Sequence, residues 1–139
     1  MMEIMAINVT SAGYAPCYDP SAANNGGGYW QPSGTCDIVL DDGTVIKCQY
    51  DDTSCGDYGD RWDIVLTCAD ERWIIHADYV GTDAETQEDN RCLNAQALDQ
   101  LSSRFGIDAG SLIAGITRAI DSAARDIWRT DWAAEADDR

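Results

Sequence analysis

The sequence predicts an α+β domain: an antiparallel β-sheet of four to five strands, connected as a meander, followed by two C-terminal α-helices packed on one face. Two observations carry this. From Cys36 to Tyr79 apolar and polar residues alternate, the period of strands with one buried face. From Leu93 onward apolar residues recur every three or four positions, the period of helices with one buried stripe. A run of strands followed by a run of helices is the α+β pattern. The 139 residues fit a single domain, 1–139, long enough to bury a core without a staple.

The first strand is Glu3-Ile4-Met5-Ala6-Ile7-Asn8-Val9. Residues 10–35 read as a long flexible loop within the domain, because Pro16, Pro20, Asn24, Asn25 and three glycines at 26–28 favour turns and high backbone entropy. Tyr14, Tyr18, Tyr29 and Trp30 punctuate that loop. Such aromatics either meet a partner or tuck back over the core.

In Cys36-Asp37-Ile38-Val39-Leu40-Asp41 the residues Cys36, Ile38 and Leu40 share one face. Asp42-Gly43 then signals a tight hairpin of type I′, and the return strand 44–50 turns Ile46, Cys48 and Tyr50 inward. Residues 62–68 repeat the alternation with Trp62, Ile64, Leu66 and Cys68 inward. A turn at Asp70-Glu71 leads to a strand over 72–79, with Trp73, Ile75, Ala77 and Tyr79 inward.

Leu93, Ala97, Leu98, Leu101 and Phe105 form the stripe of the first helix, Gly106 caps it, and Asp108 is the N-cap of the second. That helix buries Leu112, Ile113, Ile116, Ile120, Ala123, Ile127 and Trp128, and the tail 133–139 is expected to fray. The expected core is Trp62, Ile64, Leu66, Trp73, Ile75, Leu98, Leu101, Phe105, Ile116 and Ile120. The junction over 101–107 has the outline of a DNA-reading helix-turn-helix. The second helix, however, opens Asp108-Ala109-Gly110-Ser111 and has no basic residue before Arg118, whereas phosphate and base contacts need donors there. A helical hairpin packed on the sheet uses the same positions.

Six cysteines stand at 17, 36, 48, 55, 68 and 92, with no CxxC pair and a single histidine, His76. The spacings of structural zinc sites are absent. Cys36, Cys48 and Cys68 fall on the aliphatic face and read as reduced core thiols. His76 reads as a sheet-face histidine. No P-loop, GxGxxG, GxSxG or HExxH occurs, so no enzyme is expected and no cofactor or metal is assigned. No apolar run is long enough for a membrane span, and Glu3 interrupts the start, so neither a spanning helix nor an export signal is expected.

Charge is the dominant feature. Twenty Asp and five Glu face eight Arg and one Lys, for a net charge of −16, which excludes a general basic surface gripping nucleic acid or anionic lipid. In a meander the first and third turns lie at one end, gathering Asp41, Asp42, Asp70 and Glu71. The other end gathers Asp51, Asp52, Asp57 and Asp60, with Asp78 and Asp83 nearby. Four causes compete: mimicry of nucleic-acid phosphates toward a basic groove, adaptation to high salt, weak Ca²⁺ or Mg²⁺ binding by the loop 51–60, or solubility alone. That loop does not match EF-hand spacing.

In charge, size and layout the chain resembles the small acidic inhibitors that bacteriophages and mobile elements direct against host CRISPR or restriction systems. The resemblance implies a protein partner with a basic nucleic-acid-binding groove, no direct contact with nucleic acid or membrane, and action in the cytoplasm of the host bacterium. The residues expected to meet the partner are Asp41, Asp42, Asp51, Asp52, Asp57, Asp60, Asp70 and Glu71, with Tyr29 and Trp30 as apolar anchors. The alternative is a salt-adapted or generic acidic interaction domain with no inhibitory role, or a weak Ca²⁺- or Mg²⁺-binding module. The thiol assignment is checked directly: titration under denaturing, non-reducing conditions should find close to the full complement of free thiols, and two or more stoichiometric disulfides would reverse it.

Overall fold

The elements follow one another as β1 (Ile4–Tyr14), β2 (Pro32–Leu40), β3 (Val45–Asp52), β4 (Trp62–Cys68), β5 (Glu71–His76), α1 (Ala84–Phe105) and α2 (Ala109–Asp137). The computed structural model describes residues 2–15, 30–53, 62–76 and 84–137, with 84–91 and 135–137 by their backbone alone. The strands form one five-stranded sheet in the order β1-β2-β3-β4-β5, every neighbour antiparallel, which is a meander. The α+β layout read from the sequence is the observed one.

Period two decides which side chains go inward. Cys36, Ile38 and Leu40 of β2, Ile46, Cys48 and Tyr50 of β3, Ile64 and Leu66 of β4, and Trp73 and Ile75 of β5 are all buried on one face. The helices close over them with Leu101 and Phe105 of α1 and Leu112, Ile116, Ile120 and Ala124 of α2. In α2 these four stand at spacing four, so one narrow line points straight at the sheet. α2 lies over β1 and β2, and α1 over β5, where Phe105 meets Trp73 edge-on at 5.4 Å between ring centres. Cys36 and Cys48 are direct cross-strand partners, and Cys36, Cys48, Cys68 and Cys92 carry free thiols. Their contact holds the Cys36 thiol below its ordinary pKa, and the Cys48 thiol is pushed up by the same contact and by burial. Cys17 and Cys55 lie outside the described residues.

β1 departs most from the sequence reading. It runs to Tyr14, and β2 begins at Pro32, so residues 10–14 and 32–35 are strand rather than loop, with 11–14 paired to 32–35. Register shifts between Ile4 and Ala6 and between Val9 and Ser11 explain why alternation was not legible there. Each inserts one unpaired residue and flips the facing of those beyond it. Ile4, Ile7 and Val9 all reach the core although the step from Ile4 to Ile7 is three, while Met5 stays 64% exposed. At the second shift Thr10 and Ser11 both reach Thr35, their hydroxyls 2.6 and 2.7 Å from its Oγ1.

Other boundaries move slightly. The β2–β3 turn is Asp41-Asp42-Gly43: Gly43 N–H donates to Leu40 O and only the glycine has a positive φ, 88°. This is a three-residue loop closed by a left-handed glycine rather than a type I′ turn. The β4–β5 turn is Ala69-Asp70, one residue earlier than expected, with Ala69 at φ 53° and Glu71 already in strand. Trp62 and Leu98 are half-buried rather than core. Trp62 stacks on Tyr50 at 6.3 Å, and Leu98 lines the gap between the helices. Leu93 and Ile127 are exposed, 58% and 39%, and Ala124 takes the inward place because the buried line keeps spacing four.

The tail is helical to Asp137 instead of fraying from 133. Tyr14 Oη donates to Asp131 at 2.7 Å, Trp30 Nε1 donates to Asp121 at 2.6 Å, and Trp30 meets Trp128 edge-on at 6.3 Å. The contacts to Trp128 and Asp131 brace α2 beyond Ala124, its last buried residue. Asp78, Tyr79 and Asp83 lie outside the described residues.

Gly34 is required by closeness. A Cβ there would sit 2.3 Å from Ser11 O and 3.1 Å from Ile120 Cδ1, whereas Gly13 has open space. Gly34→Ala should therefore lower stability by about 1–3 kcal/mol, as overpacking does. Gly13→Ala should change it by less than half of that, with urea denaturation as the measurement.

Candidate functional site

The acidic residues separate into two groups at opposite ends of the strands. Asp41 and Asp42 lie in the β2–β3 turn, and Asp70 and Glu71 at the β4–β5 turn, so all four share one end. The two turns are two strand spacings apart, roughly 9.5 Å. Asp51 and Asp52 close β3 at the other end, roughly 25 Å away along the strands. The six described carboxylates among those expected to meet a partner thus fall into two groups, one at each end. Asp57, Asp60 and Tyr29 lie outside the described residues, as does most of the loop 51–60.

The turn end also receives two carboxylates that turn arithmetic on four strands left out. β1 runs antiparallel to β2, so its start comes back to this end: Asp41 N–H donates to Glu3 O at 3.0 Å. The α1–α2 junction arrives there too, with Met2 N–H donating to Gly106 O at 2.7 Å and Ile107 buried. That junction carries Asp108. Glu3, Asp108, Asp41, Asp42, Asp70 and Glu71 therefore line one edge, and a depression of about 310 Å³ opens between Met2, Glu3, Ile4, Ile107, Asp108 and Ser111. Glu3 was legible only after recognising that a fifth strand in the meander must begin where the second one ends.

These carboxylates are not equivalent. Asp42 accepts Thr44 N–H at 2.9 Å, which closes the turn and holds its carboxyl below the usual carboxylate range. Asp108 accepts Ser111 Oγ at 3.0 Å and the N–H groups of Gly110 and Ser111, and is held low by the same bonds, those from Ser111 foremost. It is the N-cap of α2, as its place before the apolar stripe predicts. Glu71 is held by Arg104 Nε at 2.7 Å. Glu3, Asp41 and Asp70 have no side-chain partner among the described residues. Three free carboxylates and three committed ones make up the edge.

At the opposite end Asp51 and Asp63 face each other across β3 and β4, and Asp63 faces His76 across β4 and β5. Like charges in such register repel. His76 Nδ1 is hydrogen-bonded to Asp63. The backbone of His76 is clasped by the Asn94 side chain, which accepts its N–H at 3.0 Å and donates to its carbonyl. Asn94 thus fills the place of the next strand at that point of the sheet edge. Asp52 accepts Tyr50 Oη at 3.2 Å. Among the described residues no hydroxyl or thiol approaches His76 to complete a nucleophilic triad, and no group of three potential metal ligands forms.

Trp30, expected as an apolar anchor, lies against its own helix α2. It is half-buried against α2, stacked on Tyr14 at 5.9 Å with the Arg125 guanidinium 4.8 Å over its ring, and its indole N–H is spent on Asp121. The aromatic tucked back, which is the second of the two readings its loop allowed. Among the described residues no helix is long and apolar enough to cross a membrane. Comparison with protein-family models, curated proteins and solved structures finds no match, so the edge is interpreted on its own geometry.

The low pKa of Asp42 and Asp108 has a signed consequence. Each carboxylate adds stability above its unfolded pKa, and that contribution is lost as pH falls through its lower folded value. Asp42→Ala and Asp108→Ala should each lower the thermal midpoint at pH 7. The gap to the unsubstituted protein should shrink as pH drops below the ordinary carboxylate range, while Asp70→Ala should leave the midpoint unchanged or raise it.

Proposed function

We propose that the protein is an acidic inhibitor that binds a host nucleic-acid-handling complex, of the CRISPR-effector or restriction type, and blocks its basic groove from the turn end of the sheet. The supporting observation is that Glu3, Asp41 and Asp70 stand on one edge with no intramolecular partner among the described residues. Folding does not use them, and their mutual repulsion acts against it. Two carboxylates at the spacing of the turns repel by about 0.4 kcal/mol in water. That is small for one pair and it accumulates along the edge.

Six carboxylates over the five-strand width, roughly 19 Å, average one per about 3 Å. A single strand of B-DNA presents one phosphate per 3.4 Å of axis. A groove with Arg and Lys rows set for phosphates would find a comparable charge density on a rigid scaffold, and long-range attraction would speed the encounter. The depression between Glu3 and Asp108 has room for one basic side chain at the end of the row. The setting that follows is the cytoplasm of a bacterial host.

Capture from a bacterial lysate containing CRISPR effectors, followed by competition with the captured complex's own DNA or RNA, tests the reading. Binding should compete with nucleic acid and weaken steeply as salt is raised. The triple variant Glu3→Gln, Asp41→Asn, Asp70→Asn should fold normally and lose at least tenfold in affinity, whereas Asp51→Asn should change it little. Full-strength binding by the folded triple variant would refute the edge as the site. Folding that requires molar salt would favour salt adaptation instead.

A further inference from the structure

We infer that the outer edge of β1 is a self-association surface, on which a second copy of this chain pairs its own β1 in antiparallel register. β1 is the first strand in the sheet order, so its outer row of N–H and C=O groups has no strand partner among the described residues. Soluble proteins guard such edges with charges, prolines or brevity. Here the strand is 11 residues long and Ile4–Tyr14 contains no charged residue and no proline, in a chain of net charge −16. Met5 is 64% exposed on it.

The occupant follows from charge and spacing. A basic partner suited to the acidic edge gains nothing from an uncharged strand. The helix beside the strand settles the choice toward a second copy. α2 runs alongside β1 in the same direction: a Cβ on Gly115 would meet Ile7, and Asp131 is bonded to Tyr14. Because α2 lies over β1 and β2, continuing the sheet through a second β1 sets α2 and its copy about two strand spacings, roughly 9.5 Å, apart. That is the separation of packed helices, about 8–10 Å. Gly115, Ala119 and Ser122 recur along the flank of α2 beside β1 and are small enough for that approach.

The twofold relation also matches charges. With the two helices antiparallel and the axis near Ser122, Arg118 of one copy comes level with Asp126 of the other, four residues to either side of the axis. Arg118 is exposed and has no ion-pair partner among the described residues, while Asp126 is exposed and bridged only to Arg129 at 3.1 Å. The same axis falls near the middle of β1, about three strand residues beyond Ile7, since seven helical residues rise as far as roughly three extended ones. Strand pairing and helix pairing thus ask for one and the same axis.

Sedimentation and light scattering over a concentration series test this independently of any inhibitory role. The protein should approach twice the 15.2 kDa of the chain at high concentration. Association should strengthen with added salt, because screening relieves repulsion between two acidic molecules. That is the opposite salt dependence to binding a basic groove. Arg118→Asp and Asp126→Arg should each weaken association at least tenfold, the combination should restore it, and Ser122→Arg should abolish it. Amide exchange along β1 should slow as concentration rises. A monomer at every concentration overturns the proposal, as does a dimer indifferent to all these substitutions or one with unchanged exchange along β1.

Discussion

One face of the meander is apolar from edge to edge and must be removed from water, and among the described residues the two helices do it. Ile38, Ile46, Ile64 and Leu66 lie entirely buried under Leu101, Leu112, Ile116 and Ile120. Each such side chain contributes roughly 1.5–3 kcal/mol by leaving water. The turns and the helix caps are arranged around this burial, and among the described residues no helix lies on the opposite face of the sheet.

Covering the sheet forces the geometry of the acidic edge. α1 must end and α2 must begin at the turn end if both helices are to run along the strands, so the junction brings Gly106 in its left-handed conformation and Asp108 beside Met2 and Glu3. The antiparallel order does the rest, returning the start of β1 to the two hairpin turns. A carboxylate at the end of a strand or in a turn avoids the desolvation that a core position would impose. The turn end is therefore the place where a fold of this topology collects charge at least cost, and Arg104 and the two caps relieve only half of the carboxylates gathered there.

The aromatic residues near the chain's long connection serve the same burial. α2 has 29 residues, longer than the strands it covers. Tyr14 and Trp30 extend the platform by holding Asp121, Trp128 and Asp131. An indole whose N–H is bonded internally and whose ring meets Tyr14, Trp128 and Arg125 of its own molecule contributes to stability.

Sequence and tertiary structure divided the determination by the range of the interactions involved. Residues 36–50 and 62–76 declared their strands and inward faces because alternation is local, and Gly106 with Asp108 declared the helix boundary because capping spans only three or four residues. The pairing of Asp41 and Asp42 with Asp70 at one end also followed, since a meander alternates its turns. β1 beyond Val9 was not legible, because two bulges shift the register and erase period two. The need for glycine at 34 was equally hidden, since it arises from the backbone of Ser11 more than twenty positions away and from Ile120 on a helix. Trp30's role depended on whether α2 would outrun the sheet, and the division of the edge into free Glu3, Asp41 and Asp70 and committed Asp42, Glu71 and Asp108 depended in part on which basic group, Arg104, the fold brought near. The sequence by itself determined the strands, the helices and the charge, because those follow from neighbours along the chain. Only the tertiary structure decided which carboxylates stand together and which of them lack a partner among the described residues, because that is set by where distant segments are brought to cover one apolar face.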